Sequence, residues 1–247
     1  PEDPRVFLAG SRVVIHAAGT GELWIVPFGE LGEFDAAQPS SLILGLDSVV
    51  SVAPDGTLFA YSAEVAEVFR VDAGRSDVVE ERWSTGLGDV DDVQLTSVGG
   101  DWAVLDVTGR RLALERGVVD LSEFAESGEE LAVQEPADAG PRVLIGAETG
   151  LIGVPLSGAE PTPLVSGESG SPAAPFTRDG CEYAAWEAGG AWRRCDNSGD
   201  GIRFELEGVT TGELDFAANI DSVVLNDRRR GATWAIQDEA QLIDNWD

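Results

Sequence analysis

One hairpin recurs six times along this chain, and that recurrence limits the possible folds more than any other feature. A short apolar strand is followed by a tight turn and by a second strand that starts ten residues later, within one residue. The first strands are RVVIHA from Arg12, TLFAYS from Thr57, DWAVLD from Asp101, PRVLIG from Pro141, CEYAAW from Cys181 and SVVLND from Ser222. Their partners are ELWIVP from Glu22, EVFRVD from Glu67, RLALER from Arg111, LIGVPL from Leu151, AWRRCD from Ala191 and ATWAIQ from Ala232. Successive first strands lie 45, 44, 40, 40 and 41 residues apart.

The turn residues repeat as well. Gly21, Gly150, Gly190 and Gly231 stand directly before the second strand, where a hairpin turn calls for positive φ. A further turn precedes the first strand at Pro54-Asp55-Gly56, Val98-Gly99-Gly100, Asp138-Ala139-Gly140 and Arg178-Asp179-Gly180, each after another short strand such as SVVSVA or DDVQLTS. Looser stretches holding a last strand follow the hairpins: LILGL from Leu42, DVVEERW from Asp77 and AQLIDNW from Ala240. Four short strands per unit of 40–45 residues is the period of a β-propeller blade. A β-sandwich would not repeat one hairpin at a fixed offset, and a β-solenoid uses a shorter repeat. No amphipathic helix is expected, since SAEVAEVF at 62–69 falls on a hairpin turn. The expectation is an all-β propeller of four-stranded blades, six of them visible, forming a single domain over 1–247. Trp24, Trp102, Trp192 and Trp234 are expected to pack between neighbouring sheets.

The 247 residues include 45 acids and 16 bases, a net charge of −29, and every base is arginine. Such a surface repels phosphate backbones and anionic headgroups, which argues against nucleic acid and membrane surfaces as partners. No apolar run is long enough to span a bilayer, so this segment is not expected to insert in one. A lysine-free, acidic composition fits a high-GC genome or a high-salt habitat equally. With no methionine, the chain reads as a processed or trimmed segment whose leader or anchor would lie upstream.

Cys181 and Cys195 are the only cysteines and His16 the only histidine, too few for a Cys/His zinc site. The cysteines are equidistant from position 188, so a hairpin turning there sets them opposite each other, near disulfide range. A disulfide would imply an oxidising, extracytoplasmic compartment. Two reduced, buried thiols on facing strands is the other reading.

Three segments, SPAAPFTRDGCEYAAWEAGGAWRRC at 171–195, VVLNDRRRGATWAI at 223–236 and LIDNWD at 242–247, resemble the N-terminal propeller region of large actinobacterial surface proteins with Ig-like or fibronectin type III domains. Residues 98–106 and 143–156 fit the same template, so the resemblance covers most of the chain. It implies an N-terminal membrane anchor before the propeller, C-terminal Ig-like domains of the same polypeptide after it, and adhesion or partner binding outside the cell. It also implies hairpin-like sequence upstream, and thus seven or eight blades in the intact protein. It brings no catalytic residue with it.

Chemistry-bearing patterns are sparse. His16 sits in a repeat strand with no nucleophile motif nearby, and reads as a half-buried strand histidine. The stretch from Asp196 to Gly201, ending at Glu207, echoes a calcium loop, with Asp196, Ser198, Asp200 and Glu207 as oxygen donors. Ser198 at the third position and Arg203 at the eighth depart from that pattern, and a solvated Gly-rich loop is the plainer reading. Asp89, Asp91 and Asp92 read as a solvated inter-blade loop. Arg228, Arg229 and Arg230 are expected to pair with nearby carboxylates or to offer a spot for an acidic partner. The sequence thus points to a non-enzymatic extracellular binding or structural, adhesion-type module, with a protein or cell-surface glycan as partner and no catalytic residue or cofactor. It would be attached to the cell surface through a segment not present here. The alternative is a secreted carbohydrate-active hydrolase or lyase with converging carboxylates, which requires two or more acids of raised pKa in one central pocket.

Overall fold

The computed structural model describes residues 4–74, 79–195, 199–208, 213–219, 222–237 and 239–243. It contains six sheets, each a four-stranded antiparallel meander in sequence order. Blade 1 is β1 (Arg5–Ala9), β2 (Arg12–Ala17), β3 (Glu22–Pro27) and β4 (Leu42–Ile43). Blade 2 is β5 (Val49–Val52), β6 (Leu58–Ser62), β7 (Glu67–Val71) and β8 (Val79–Ser84). Blade 3 is β9 (Val93–Val98), β10 (Asp101–Asp106), β11 (Arg111–Leu114) and β12 (Gly117–Asp120). Blade 4 is β13 (Leu131–Val133), β14 (Arg142–Ala147), β15 (Gly150–Pro155) and β16 (Thr162–Ser166). Blade 5 is β17 (Phe176–Arg178), β18 (Cys181–Ala185), β19 (Gly190–Cys195) and β20 (Ile202–Glu205). Blade 6 is β21 (Leu214–Ala218), β22 (Val223–Asp227), β23 (Ala232–Ile236) and β24 (Ala240–Leu242). The second and third strands of every blade are the six hairpins read from the sequence. Two compact units divide the chain, Pro1–Asp120 with the first three blades and Leu121–Asp247 with the last three.

Strand alternation explains the cores. In the first unit, Leu58, Ala60, Phe69 and Val71 of blade 2 turn to blade 1 and meet Val14, Leu23 and Ile25. The intervening residues Phe59, Tyr61 and Val68 turn the other way and meet Trp102 and Val104 of blade 3. A sheet covered on both faces needs apolar residues at every position, and LFAYS of β6 is buried throughout. In the second unit, Leu144, Leu151 and Val165 of blade 4 pack on Ala184, Trp186 and Trp192 of blade 5. The other face of blade 5, with Tyr183 and Ala191, packs on Phe216, Leu225 and Trp234 of blade 6. Trp24, Trp102, Trp192 and Trp234 are all buried.

Two details differ from the sequence reading. Gly21 and Gly231 do take positive φ, but Gly150 and Gly190 do not; they are the first residues of β15 and β19. A Cβ on Gly150 would lie 2.1 Å from the Val165 carbonyl oxygen, and one on Gly190 2.2 Å from Glu168 Oε2. Close approach rather than turn conformation requires glycine at 150, where the neighbour is backbone, whereas the Glu168 side chain beside Gly190 can move. The second difference is a 3-10 helix, Phe28–Glu33, where no helical pattern was expected. SAEVAEVF behaves as anticipated, ending β6, turning, and starting β7.

Candidate binding site

Blade 1 departs from the repeat between its third and fourth strands. That connection takes fourteen residues, 28–41, whereas the other blades make the same step in seven or fewer. Pro27 ends β3, the 3-10 turn follows, and an Asx turn at Asp35 reverses the chain, its Oδ1 accepting from Ala37 N at 2.9 Å. The segment then runs back along β3. Trp24 Nε1 donates to the Gln38 carbonyl at 3.2 Å, and Ile25 N donates to Ser41 Oγ at 3.1 Å. Phe34 meets Trp24 edge-on, with centroids 6.0 Å apart and planes at 77°.

The excursion therefore lies over the blade 1 face that carries Val13, Ile15 and Trp24. Val6 pairs with Ile15 and Leu8 with Val13, while Ile43 pairs with Glu22, itself opposite Ala17. Cross-strand partners share a face, so Val6, Leu8 and Ile43 point the same way as this cluster. They stay bare, at 61%, 66% and 72% exposure, as does Phe28 on the excursion at 64%. Among the described residues, six of the ten exposed large apolar side chains fall within residues 6–46.

Two grooves flank this surface. One, of about 370 Å³, lies between β3 and the excursion, lined by Trp24, Phe34, Gln38, Glu30 and Glu33. The other, of about 500 Å³, lies where the turns of blades 1 and 2 meet, lined by Asp55, Arg70, Asp72 and Glu80. Arg12 lines both. It donates from Nη2 to the Gly74 carbonyl at 3.1 Å and, among the described residues, has no carboxylate partner. Arg70 is already paired with Glu80 and Glu81.

His16 is 1% exposed, a deeper burial than the sequence implied. Its Nε2 lies 2.9 Å from Ser48 Oγ and its Nδ1 has no partner. Desolvation, reinforced by the charge of Arg5, lowers its pKa to about 4. The imidazole is thus neutral at pH 7 and shut away from any groove.

Blade 5 holds a different polar centre. Cys181 and Cys195 are directly opposed and joined as a disulfide. Beside them the buried Glu182 receives Arg194 from the facing strand, Nε to Oε2 at 3.0 Å, and Arg142 from blade 4, Nε to Oε1 at 3.2 Å. The Arg194 guanidinium lies 5.3 Å from the Trp192 ring centroid. Arg193 donates to the Gln237 carbonyl of blade 6, and Arg203 to the Ser166 carbonyl of blade 4 at 2.8 Å. Sequence reasoning missed this cluster, yet the symmetry about position 188 that opposes the cysteines also opposes Glu182 to Arg194.

The other predicted residues are scattered. Asp196 and Ser198 lie outside the described residues; Asp200 and Glu207 are exposed. Trp192 Nε1 donates to the Asp200 carbonyl at 2.9 Å, and a Cβ on Gly201 would lie 2.4 Å from that same nitrogen. Packing on Trp192 accounts for this part of the loop. Among the described residues no group of three or more His, Cys, Asp or Glu side chains could hold a metal. Asp89, Asp91 and Asp92 are exposed. Arg228 pairs with Asp215 at 2.9 Å and with Glu213 at 3.9 Å, and Arg230 donates to the Gly208 carbonyl. Glu135 is exposed as a residue, yet desolvation of its carboxyl, followed by the charge of Asp215, raises its pKa, and Arg228 opposes the rise. Among the described residues no helix is long and apolar enough to cross a membrane.

No protein-family model matches the chain, and no curated protein matches it. Solved structures do share its fold. BamB from Moraxella catarrhalis aligns over 98% of this chain and 70% of its own, with a TM-score of 0.54 and 13% identity. Virginiamycin B lyase from Staphylococcus aureus aligns over 95% and 80%, with a TM-score of 0.59 and 12% identity. The computationally designed Ika8 protein aligns over 96% and 72%, with a TM-score of 0.61 and 14% identity. Identities this low speak to fold alone. Together with the strand order they establish an all-β propeller of six four-stranded blades.

Proposed function

We propose that this propeller is a non-enzymatic binding or structural module of a larger extracellular surface protein, of the kind its sequence resembles, and that blade 1 is its recognition surface. The observation that carries the reading is the break in the repeat: the one long excursion stands beside bare apolar side chains and two open grooves. A rigid sheet that presents a variable loop is a common recognition design. The disulfide supports an oxidising compartment, and so a location outside the cytoplasm.

The rival is a lyase or hydrolase. One structure of similar fold is a catalytically inactive histidine-to-alanine variant of virginiamycin B lyase with quinupristin. Here the sole histidine is buried in blade 1 against Ser48, which supports the non-enzymatic reading. The carboxylate pair that shows a raised pKa is Glu135 beside Asp215, and Asp215 is held by Arg228. The test is a turnover panel of glycans, peptides and cyclic depsipeptides with the wild type, Glu135→Gln and Asp215→Asn. No turnover is expected. Turnover that Glu135→Gln abolishes would overturn the proposal. Calcium belongs to the same test: a calcium site formed by Asp196, Ser198, Asp200 and Glu207 predicts heat and a rise in Tm on titration, and their absence would remove it.

A further inference from the structure

We infer that the Cys181–Cys195 bridge is a site of reversible thiol–disulfide exchange, in which a small thiol attacks Cys181 Sγ and Cys195 is the sulfur that leaves. The inference does not depend on the binding-module reading. Cys181 opens β18 straight after the turn Arg178-Asp179-Gly180, and Cys195 closes β19. The bridge therefore sits at the open end of the hairpin, and both cysteines are half-buried. A groove of about 310 Å³ reaches it from the side of blade 6. Cys181, Arg178, Tyr183 and Arg193 line this groove with Val223 and Ile236 of blade 6. Pockets that take small molecules span roughly 300–1,000 Å³.

The other sulfur is the one in contact with positive charge. Arg193 Nε donates to Cys195 Sγ at 3.2 Å, and the same guanidinium is anchored by donating to the Gln237 carbonyl. At the next position of the ladder, Arg194 and Arg142 share the one carboxylate of Glu182, so two guanidinium charges meet one carboxylate there. A cation beside a sulfur lowers its thiol pKa, and a sulfur of lower thiol pKa leaves faster. The groove thus leads to one sulfur while the guanidinium favours departure of the other.

The step balances without an added oxidant or reductant. A thiolate, its proton already given to water, bonds to Cys181 Sγ as the Cys181–Cys195 bond breaks, and the electron pair of that bond leaves on Cys195. The products are a mixed disulfide at Cys181 and a Cys195 thiolate facing Arg193. Attack by that thiolate on the mixed disulfide restores the bridge and expels the thiol. Meanwhile the Glu182 ion pairs and the apolar contacts with blades 4 and 6 keep blade 5 in place.

The experiment exposes the folded 247-residue chain to 2-mercaptoethanol, stops exchange with acid at short times and maps the adduct by mass spectrometry. The adduct is expected on Cys181, with about tenfold or greater preference over Cys195. That preference should collapse in guanidinium chloride, where the groove and the Arg193 contact are gone. Arg193→Gln should slow opening of the bridge about three- to tenfold, and Arg193→Lys should recover part of the rate. A merely structural role for Arg193 predicts the opposite sign, because a loosened bridge would open faster in both variants. An adduct chiefly on Cys195, or a preference that persists in guanidinium chloride, would overturn the inference. So would an Arg193→Gln rate at or above that of the wild type, or no exchange in the folded chain.

Discussion

Blade 5 and blade 1 start from the same hairpin and are secured in different ways. Blade 5 is tied across its own hairpin by Cys181–Cys195 and Glu182–Arg194, to blade 4 through Arg142 and Arg203, and to blade 6 through Arg193. Trp186 adds another tie, its Nε1 donating to the Ala147 carbonyl at 2.8 Å. Among the described residues, blade 1 has one arginine tie, from Arg12 to Gly74, and one buried hydrogen bond toward the next blade, between His16 and Ser48; apolar burial beneath a folded-back loop does the rest. In return it displays apolar side chains that contribute nothing to that burial. Where a repeat is bound to its neighbours by specific polar links, its residues are committed to architecture. Where it breaks period and leaves apolar surface in water, its residues are free to recognise something else.

The sharpest way to break the contrast is Glu182→Ala. It would take from Arg142 and Arg194, both half-buried, the buried carboxylate they share, at a cost of about 3 kcal/mol. Denaturant unfolding should show that loss, whereas Glu22→Ala in blade 1, whose carboxylate accepts from the exposed Thr20 hydroxyl, should cost about 0.5 kcal/mol or less. A small effect at Glu182 would mean that the polar ties of blade 5 are dispensable.

Acid acts on blade 1 through its buried histidine. Unfolded, His16 titrates at its ordinary value of 6.5; folded, at about 4. The unfolded chain therefore binds the extra proton first. This contribution is fully present above pH 6.5 and is lost as pH falls toward 4, a change of about 3 kcal/mol. His16→Gln should flatten that part of the pH–stability curve, and an unchanged curve would show that the imidazole is not desolvated in solution.

Removing the disulfide with Cys181→Ser and Cys195→Ser should cost about 2–3 kcal/mol, since the bridge closes a loop of 14 residues. Gly150→Ala should cost about 1–3 kcal/mol through its collision with the Val165 carbonyl. Both effects are measurable as shifts in Tm, and a neutral Gly150→Ala would mean that β15 and β16 separate more easily than their pairing implies.

How far the sequence could be read follows from the range of the forces involved. Hairpin strands, their fixed offset and the opposed cysteines are local, so alternation and counting found them. The ion cluster at Glu182 was half legible, because Arg194 lies across the same hairpin while Arg142 comes from forty residues away. The burial of His16 depends on Ser48 arriving from the next blade, which no local pattern reveals. Gly150 and Gly190 looked like turn glycines because absence of a side chain serves both a turn and a close approach. The excursion was not foreseen because the three-residue spacing of Phe28, Leu31 and Phe34 in FGELGEF covers too few residues to read as a helix, and its one anchor, Phe34, finds Trp24 only after the chain has reversed.

The smallest expected effect carries the most functional weight. Phe28→Ser and Ile43→Ser should each change unfolding free energy by about 0.5 kcal/mol or less, because side chains already in water lose little burial when shortened. Phe34→Ala, six residues along the same excursion, should cost more, because it uncovers Trp24 and the cluster around it. If Phe28 and Ile43 prove neutral for folding while Phe34 does not, the excursion has two faces with separate duties, one closing the blade and the other left open to a partner. If instead Phe28→Ser unfolds blade 1 as readily as Phe34→Ala, its exposed ring belongs to the fold, and the docking surface shrinks to Val6, Leu8 and Ile43.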